Sequence, residues 1–373
     1  MKIGICSPFF PARTALSRYT YDFISYLGRE GFDAYLVPIQ RDITTYEEIR
    51  TIDYKNADFV YIQWGNNLLH HPQSHIFKKI ERKISTLHDL DIGGAFKRSC
   101  IKCILKGYIN PISGKSASEK LLKKIIKDSE RIFLNSVYAC KYLKNEYRIS
   151  TEKLFAIKYP VLYGEFQEDK YEVRASLGLP EDKVIFLFVG FISPHKGVED
   201  TVYTLKILKE IYNFEDFVYI VVGEQLFGDA YEQKIRSIIK SSSLKDNIIM
   251  TGFISDAPPN YELKKYFIAS DFVFLPRRRT FGETSAVIPQ AFAAGNVVIS
   301  SNLGSFPEYL SGRGILVNSG DSIEMQNKII ELLDSPQKFK KIQREAKMYA
   351  KDKLDWGVVI KDIINSTPFL QNL

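Results

Sequence analysis

Residues 184–212, VIFLFVGFISPHKGVEDTVYTLKILKEIY, are the stretch that decides the fold. An apolar run ends at Gly190, the chain passes a proline to reach Lys196-Gly197, and a helical pattern begins near Val198. A strand, a tight turn and a helix in this order predict one unit of a parallel α/β sheet. The turn also delivers one cation, whose role the sequence must explain.

The same alternation runs through both halves of the chain. The first half opens with a strand candidate from Lys2 to Phe9, the polar loop PARTALS and an amphipathic run, and the second half restarts the pattern at Lys183. Between them, residues 159–182 are charged and punctuated by Gly and Pro, as is typical of a linker. We therefore expect an α/β protein with two Rossmann-like, doubly wound parallel-sheet domains and a ligand crevice at the carboxyl ends of the strands.

Composition is that of an ordinary soluble globular protein, with 373 residues, 45% hydrophobic and 25% charged. The absence of a signal peptide or a spanning apolar run, together with only four cysteines, predicts a cytoplasmic location. The net charge of +7 is concentrated in residues 78–127, where 13 Lys or Arg face 4 Asp or Glu. This segment is either a solvated face or a surface for the anionic inner face of a membrane. No recognition motif supports a nucleic-acid partner.

A second segment, residues 271–317, offers further groups that attract anions. A strand ends at Pro276, and a helix is expected to begin at Thr284 or Ser285, whose hydroxyl is a good N-cap. The loop between them contains Arg277, Arg278, Arg279 and Glu283. An ammonium group and a helix N-terminus at one edge of a sheet can together hold a diphosphate. In the alternative interpretation, Lys196 and the arginines belong to a solvated surface and bind no ligand.

With these residues in place, the chain resembles the retaining glycosyltransferases of the GT-B group usually called family 4. The family's G-x5-K-G turn is present as Gly190–Gly197. Its E-x7-E segment running into A-x-A-x-G-x-P-V-I is recognisable in ETSAVIPQAFAAGNVVIS, and its G-x-x-P-E follows as Gly304–Glu308. The stretches VYIQWG, TLHDL, RIFLNS and LDWGVVIKDII match other parts of the family, so the resemblance extends along nearly the whole chain.

The resemblance implies a division of the chain and an activity. The implied divisions are an acceptor-side domain over 1–160, a linker over 161–182, a nucleotide-sugar-binding domain over 183–350 and a helix over 351–373 that crosses back to the N-terminal domain. The implied reaction moves a sugar, with retention, from a nucleoside-diphosphate sugar to a glycan or lipid-linked acceptor, in cell-surface polysaccharide or glycolipid synthesis. The resemblance implies neither a cofactor nor a metal ion.

Four positions depart from the family pattern, namely Phe191, Ser193, Gly282 and Gln290. The first two stand where arginines are frequent, so the arginine triplet is expected to supply the missing charge. Gln290 replaces a glutamate that binds the ribose and can still accept a hydroxyl hydrogen. Glu283, one position from the expected glutamate, either contacts the donor sugar or serves only the helix dipole. These departures motivate a second hypothesis, a catalytically degenerate protein that binds a nucleotide or a partner without sugar transfer.

The resemblance also assigns the expected site residues. The catalytic set is Lys196, Glu283 and His88, although a histidine such as His88 is also common as a core or capping residue. The donor-binding set is Gly190, Ser193, Arg277, Arg278, Arg279, Thr284, Ser285, Gln290 and Ile254. The acceptor-side loop offers Arg13, Thr14, Ser17 and Arg18, with an ordinary loop before an N-capped helix as the alternative. No metal site is predicted from Cys100 and Cys103, read as buried thiols, or from His70, His71 and His75.

Overall fold

The chain forms two compact units in the structure, a computed structural model. Unit 1 consists of Met1–Leu162, Phe281–Thr284 and Leu354–Leu373, and unit 2 of Tyr163–Thr280 and Ser285–Lys353. The structure describes residues 1–40, 42–66, 76–92, 115–147, 151–225, 228–280 and 282–371.

Unit 1 contains a six-stranded parallel sheet with helices packed against it. Its strands are β1 Lys2–Cys6, β2 Asp33–Val37, β3 Phe59–Trp64, β4 Lys83–Leu87, β5 Arg131–Leu134 and β6 Leu154–Ala156. Its first helices are α1 Ala15–Arg29, α2 Lys115–Asp128 and α3 Val137–Tyr147. The strand order is β2-β1-β3-β4-β5-β6, and β3 is buried along its whole length because both faces of a parallel sheet are covered.

Unit 2 repeats this plan. Its strands are β7 Val184–Val189, β8 Phe217–Val222, β9 Ile248–Gly252, β10 Phe272–Leu275, β11 Val297–Ser301 and β12 Ile315–Val317. Its helices are α4 Lys170–Ser176, α5 Val198–Tyr212, α6 Ala230–Lys240, α7 Glu262–Ala269, α8 Val287–Ala294, α9 Phe306–Leu310, α10 Ser322–Leu333 and α11 Pro336–Lys353. The strand order is β12-β11-β10-β7-β8-β9, all parallel. The predicted fold class, two doubly wound parallel sheets, is confirmed.

After unit 2, the chain returns to unit 1 through α12 Trp356–Asn365 and α13 Pro368–Gln371. Trp356 is buried and stacks with two aromatic rings of α1, Phe23 at 6.0 Å and Tyr26 at 5.6 Å between centroids. The Val161 amide donates to the carbonyl of Leu354 (2.7 Å), which fixes the start of the returning segment. Unit 1 is therefore completed by residues that lie about 200 positions downstream of its last strand.

A buried arginine holds the entry to unit 2. The guanidinium of Arg174 donates to the main-chain carbonyls of Ala269, Glu181 and Lys183 and to the carboxylate of Asp271 (2.8 Å). Asp271 also accepts from the Ile185 amide (2.8 Å), so this pair joins α4, β7 and the start of β10. Such a buried cation is stable only while its partners are in place.

Asp271→Ala should therefore destabilise unit 2 by about 3 kcal/mol, because it leaves the Arg174 charge buried beside carbonyls alone. Thermal melting of the full chain measures this loss. Glu331→Gln is a matched control, since Glu331 pairs with Lys328 and Lys338 on the exposed surface of the same unit, and its melting temperature should stay near that of the wild type. Equal melting temperatures for both variants would contradict the proposed importance of this pair.

Candidate active site

Two loops of unit 2 meet at the carboxyl edge of its sheet. We call residues 190–197 the lysine turn and residues 276–280 the arginine loop. They follow β7 and β10, which are adjacent parallel strands. Gly197 has φ +72°, and a Cβ placed on it would lie 1.8 Å from the carbonyl oxygen of Pro276, so only glycine permits this approach. The Arg278 amide donates to the carbonyl of His195 (3.0 Å), which ties the two loops together.

The lysine turn is fixed at both of its ends. Gly190 has φ +137°, a conformation that favours glycine, and its amide donates to the carbonyl of Val222 at the end of β8 (3.0 Å). A single 3-10 turn, Pro194–Lys196, then brings the half-buried Lys196 to the start of α5. Ser193 Oγ lies 3.2 Å from His195 Nδ1. The predicted turn residues therefore lie on one short, held segment.

His195 reveals the electrostatic character of this region. The pKa of its imidazole is lowered to about 4, first by burial and then by repulsion from Lys196, Arg277 and Arg279. Three cations thus act on one side chain at the edge of the sheet. His195 was not among the residues predicted from the sequence, although it directly precedes Lys196. A histidine beside a lysine in a turn was the available signal.

The depressed pKa gives a pH dependence with a defined sign. The unfolded chain binds the His195 proton near its ordinary pKa of 6.5, whereas the folded chain binds it only near pH 4. The contribution of neutral His195 to the free energy of unfolding is therefore fully present above pH 6.5. It is lost as the pH falls from 6.5 towards 4. We expect the melting temperature of the wild type to fall more steeply over this range than that of His195→Gln. Parallel curves for the two proteins would contradict this assignment.

The three arginines have different surroundings. Arg277 is buried, and its main-chain carbonyl accepts from Ser319 Oγ (2.9 Å). Arg278 forms a two-bond ion pair with the carboxylate of Asp200 in the first turn of α5, at 2.9 and 2.6 Å. Arg279 is exposed at the end of the loop. The expected charge of the triplet is present, but the Arg278 guanidinium already has a carboxylate partner.

The helix after the arginine loop begins later than predicted. α8 starts at Val287, not at Thr284 or Ser285. The N-cap position is Ala286. The Thr284 hydroxyl donates to the carbonyl of Asn135 (3.1 Å), and Ser285 Oγ accepts from the Val287 amide (3.3 Å) in a local turn before the helix. Within α8, Gln290 is buried and its amide nitrogen donates to the carbonyl of Ala286 (3.2 Å).

His88 lies directly after β4 in unit 1 and is nearly buried. Its Nε2 is 2.7 Å from Gln63 Oε1, and its Nδ1 is 2.9 Å from Asn135 Nδ2. Because an amide oxygen accepts and an amide nitrogen donates, these contacts place the proton of a neutral ring on Nε2. The Tyr19 ring packs against it in a T-shaped arrangement, with 4.9 Å between the centroids. Both ring nitrogens are therefore oriented by side chains of neighbouring strands.

Glu283 is half-buried between two residues that pack within unit 1. Gly282 has φ +86°, and a Cβ placed on it would lie 2.4 Å from Leu90 Cδ1. Thr284 holds the carbonyl of Asn135, whose amide contacts His88. The segment with Glu283 thus lies in the same unit as the loop after β4. The donor-sugar roles of Glu283 and His88 remain predictions.

The loop before α1 is used largely for local structure. Thr14 Oγ1 accepts from the Leu16 amide (3.4 Å) and N-caps α1, and Ser17 Oγ donates to the carbonyl of Ala12 (2.8 Å). Arg18 is buried and pairs with Asp22 one turn along α1 (2.8 Å), whereas Arg13 is exposed. Arg13 therefore has the most accessible side chain of the four predicted acceptor-side residues.

Other predicted features lie elsewhere or outside the described residues. Ile254 is half-buried after β9.

Within the described residues, no group of three His, Cys, Asp or Glu side chains is arranged to hold a metal ion. None of the described helices combines the length and apolar character needed to cross a bilayer. Of the described cysteines, Cys6 is buried and Cys140 is half-buried. The cysteines and histidines considered for a metal, Cys100, Cys103, His70, His71 and His75, lie outside the described residues.

The two six-stranded parallel sheets with their flanking helices define a two-unit α/β protein of the GT-B fold. Residues 169–349, a little under half of the chain, match the family described as Glycosyl transferases group 1. A D-inositol 3-phosphate glycosyltransferase from Segniliparus rotundus is 26% identical over 247 residues, which cover 65% of this chain and 53% of that protein. An uncharacterized glycosyltransferase, MJ1607 of Methanocaldococcus jannaschii, is 24% identical over 203 residues, covering 53% and 48%. The chain spans about half the length of these curated relatives.

Solved structures resemble the whole chain. The sucrose-phosphate synthase of Thermosynechococcus elongatus has a TM-score of 0.74 at 15% identity, covering 100% of this chain and 99% of that one. Anabaena Alr3699/HepE in complex with UDP-glucose has a TM-score of 0.74 at 17% identity, covering 100% of both chains. At these identities, the likeness establishes the fold.

Proposed function

We propose that this protein is a glycosyltransferase that moves a sugar from a nucleoside-diphosphate sugar to an acceptor hydroxyl. The observation that carries it is the junction of the lysine turn and the arginine loop, which brings Lys196 and the arginine triplet to one edge of the sheet. Two comparisons give further support. Residues 169–349 match a glycosyltransferase family, and Anabaena HepE, which shares the fold, binds UDP-glucose in its crystal.

In the proposed reaction, the bond between the anomeric carbon and the donor phosphate oxygen breaks, and its electron pair leaves with the diphosphate. The acceptor hydroxyl oxygen forms the new bond to the anomeric carbon, and its proton goes to a donor phosphate oxygen. Negative charge grows on the leaving diphosphate, so the cations of Lys196, Arg277 and Arg279 would stabilise the transition state more than the ground state. Charge stabilisation by fixed cations is then the main contribution of unit 2 to catalysis.

The finer features of the proposal come from the resemblance to family 4. They are transfer with retention, independence of a metal ion, a glycan or lipid-linked acceptor, and a role in cell-surface polysaccharide or glycolipid synthesis. Glu283 and His88 would contact the donor sugar, and Gln290 would accept from a ribose hydroxyl. The basic segment 78–127, of which the structure describes 78–92 and 115–127, would meet anionic headgroups at the inner face of a membrane.

The test is calorimetry of the full chain against UDP, GDP and ADP, followed by the sugar-linked forms of whichever nucleotide binds. We expect one diphosphate to bind and the matching monophosphate to bind at least roughly tenfold more weakly, because it lacks the second phosphate that charge-assisted bonds would hold. Release of that nucleoside diphosphate from its sugar, dependent on an added acceptor mixture, would then demonstrate transfer.

Two results would overturn the proposal. A folded protein that binds no nucleotide would contradict the donor site itself. Donor binding without acceptor-dependent release, across glycan and lipid-linked acceptors, would instead favour the degenerate protein that binds without transferring sugar.

A further inference from the structure

Arg278 of the arginine loop forms hydrogen bonds with one residue before Lys196 and with one residue after it. The Arg278 main-chain amide donates to the carbonyl of His195, one residue before the lysine, at 3.0 Å. Its guanidinium donates through Nε and Nη2 to the two carboxylate oxygens of Asp200, four residues after the lysine, at 2.9 and 2.6 Å. A two-bond guanidinium–carboxylate contact fixes orientation as well as distance. Arg278 therefore connects the arginine loop to the chain on both sides of Lys196.

Asp200 is itself firmly held. Its side chain is only 6% exposed, whereas the side chain of Arg278 is 44% exposed. The main-chain carbonyl of Asp200 accepts from Ser322 Oγ at the start of α10 (3.1 Å) and from Thr204 Oγ1 one turn along α5 (3.0 Å). The fixed partner in this ion pair is thus the aspartate on α5. It restrains the more exposed arginine and, through it, the loop.

We propose that Asp200 is a positioning residue of the donor site, which holds Arg278 so that Arg278 joins the two loops instead of binding the donor phosphates. This inference rests on the proposed function. It divides the arginine triplet into two roles: Arg277 and Arg279 act with Lys196 on the diphosphate, and Arg278 keeps the arginine loop against the lysine turn.

Because Asp200 is negatively charged, its removal should change diphosphate affinity in opposite directions under two explanations. If electrostatics alone mattered, removing a carboxylate beside an anion site would strengthen diphosphate binding. If Asp200 acts by positioning, the same change releases Arg278, loosens the loop and weakens binding, since misplaced groups lose preorganised contacts. Asp200→Asn therefore gives opposite results under the two explanations.

The experiment measures the Kd of UDP for the full chain by calorimetry at one salt concentration. We expect Asp200→Asn and Arg278→Gln each to weaken binding roughly tenfold and the double variant to be no weaker than either, because both changes break one contact. Glu199→Gln is the matched control. It removes the same charge from the neighbouring residue of α5, whose carboxylate pairs with Lys234 on α6 (3.0 Å), and should stay within about twofold of wild type.

Unchanged or tighter binding by Asp200→Asn would overturn the inference. So would a loss in Arg278→Gln far larger than that in Asp200→Asn, which would indicate a direct phosphate contact by Arg278. If UDP does not bind the wild type, the same series is run with the nucleotide that does.

A measurement without nucleotide separates failure of this inference from failure of the proposed function. Hydrogen exchange of peptides covering 190–200 and 276–280 should be faster in Asp200→Asn than in Glu199→Gln, since only the first variant releases the loop. Equal exchange in the two variants would overturn the positioning role even if no nucleotide binds. Faster exchange in a protein that binds no nucleotide would retain the junction of the loops and reject the donor site.

Discussion

Lys196→Ala is expected to weaken nucleoside-diphosphate binding by roughly 30- to 150-fold, which corresponds to about 2–3 kcal/mol for the loss of charge-assisted bonds to phosphate. The effect should be large because Lys196 lies in a turn that is held at Gly190 and again by the arginine loop, so the backbone that carries the ammonium group is already in position before the ligand arrives. The change is measured by calorimetry with whichever of UDP, GDP and ADP binds the wild type. Lys196→Arg should recover part of the affinity, since it restores the charge with a different shape.

Lys240→Ala provides the matched control for Lys196→Ala. Lys240 is the exposed last residue of α6, a helix that starts after the carboxyl end of β8 and returns the chain to the opposite edge of the sheet. The net charge changes by the same amount, but affinity should remain within about twofold of wild type, because distant exposed charges are screened. Wild-type affinity in a folded Lys196→Ala protein would contradict the donor site at the lysine turn.

Gly197→Ala should be the most destabilising change within the site, with a loss of about 2–4 kcal/mol. About 1 kcal/mol comes from placing a side chain at φ +72°, and the rest from driving a methyl group into the Pro276 carbonyl, which a Cβ would approach to 1.8 Å. The backbone of at least one loop must move, so nucleotide affinity should fall as well. Thermal melting and calorimetry on the same protein measure both effects.

The control for Gly197→Ala is Gly312→Ala in the same unit. Gly312 has a similar backbone, φ +76°, but a Cβ placed there meets nothing within 4 Å. This variant should lose only about 1 kcal/mol and keep its nucleotide affinity, because it carries the conformational cost without the clash. If both alanine variants melted at the same temperature, the close approach of the two loops would not be a constraint on the fold.

The order of strands and helices was predictable because buried parallel strands read as continuous apolar runs. β7 and β8 each consist of six apolar residues between turns, and the helical patterns that follow them are long enough to identify. Gly190 and Gly197 predicted the turn at the edge of the sheet that carries the candidate site, because glycine most readily adopts the positive φ found at both positions. Local sequence therefore determined the architecture and the location of the candidate site.

Contacts between distant segments were not predictable in the same way. The pairing of Asp200 with Arg278 joins residues 78 positions apart, and the ring of His88 is oriented by amides 25 and 47 positions away. The start of α8 was placed too early because the Thr284 hydroxyl, a good N-cap by type, is used by the carbonyl of Asn135 instead. Each of these outcomes depends on which partner a side chain contacts in the folded protein. Spacing along the sequence does not give that information.

The return of α12 to unit 1 has a consequence for the order in which the protein is made. A ribosome completes all of unit 2 before it releases Trp356, whose ring covers Phe23 and Tyr26 of α1. Until then, the nascent unit 1 has an uncovered aromatic face, and transiently exposed apolar surface is the usual starting point for aggregation. Unit 1 therefore cannot complete its aromatic core until Trp356 has been synthesised, although its six strands are made much earlier.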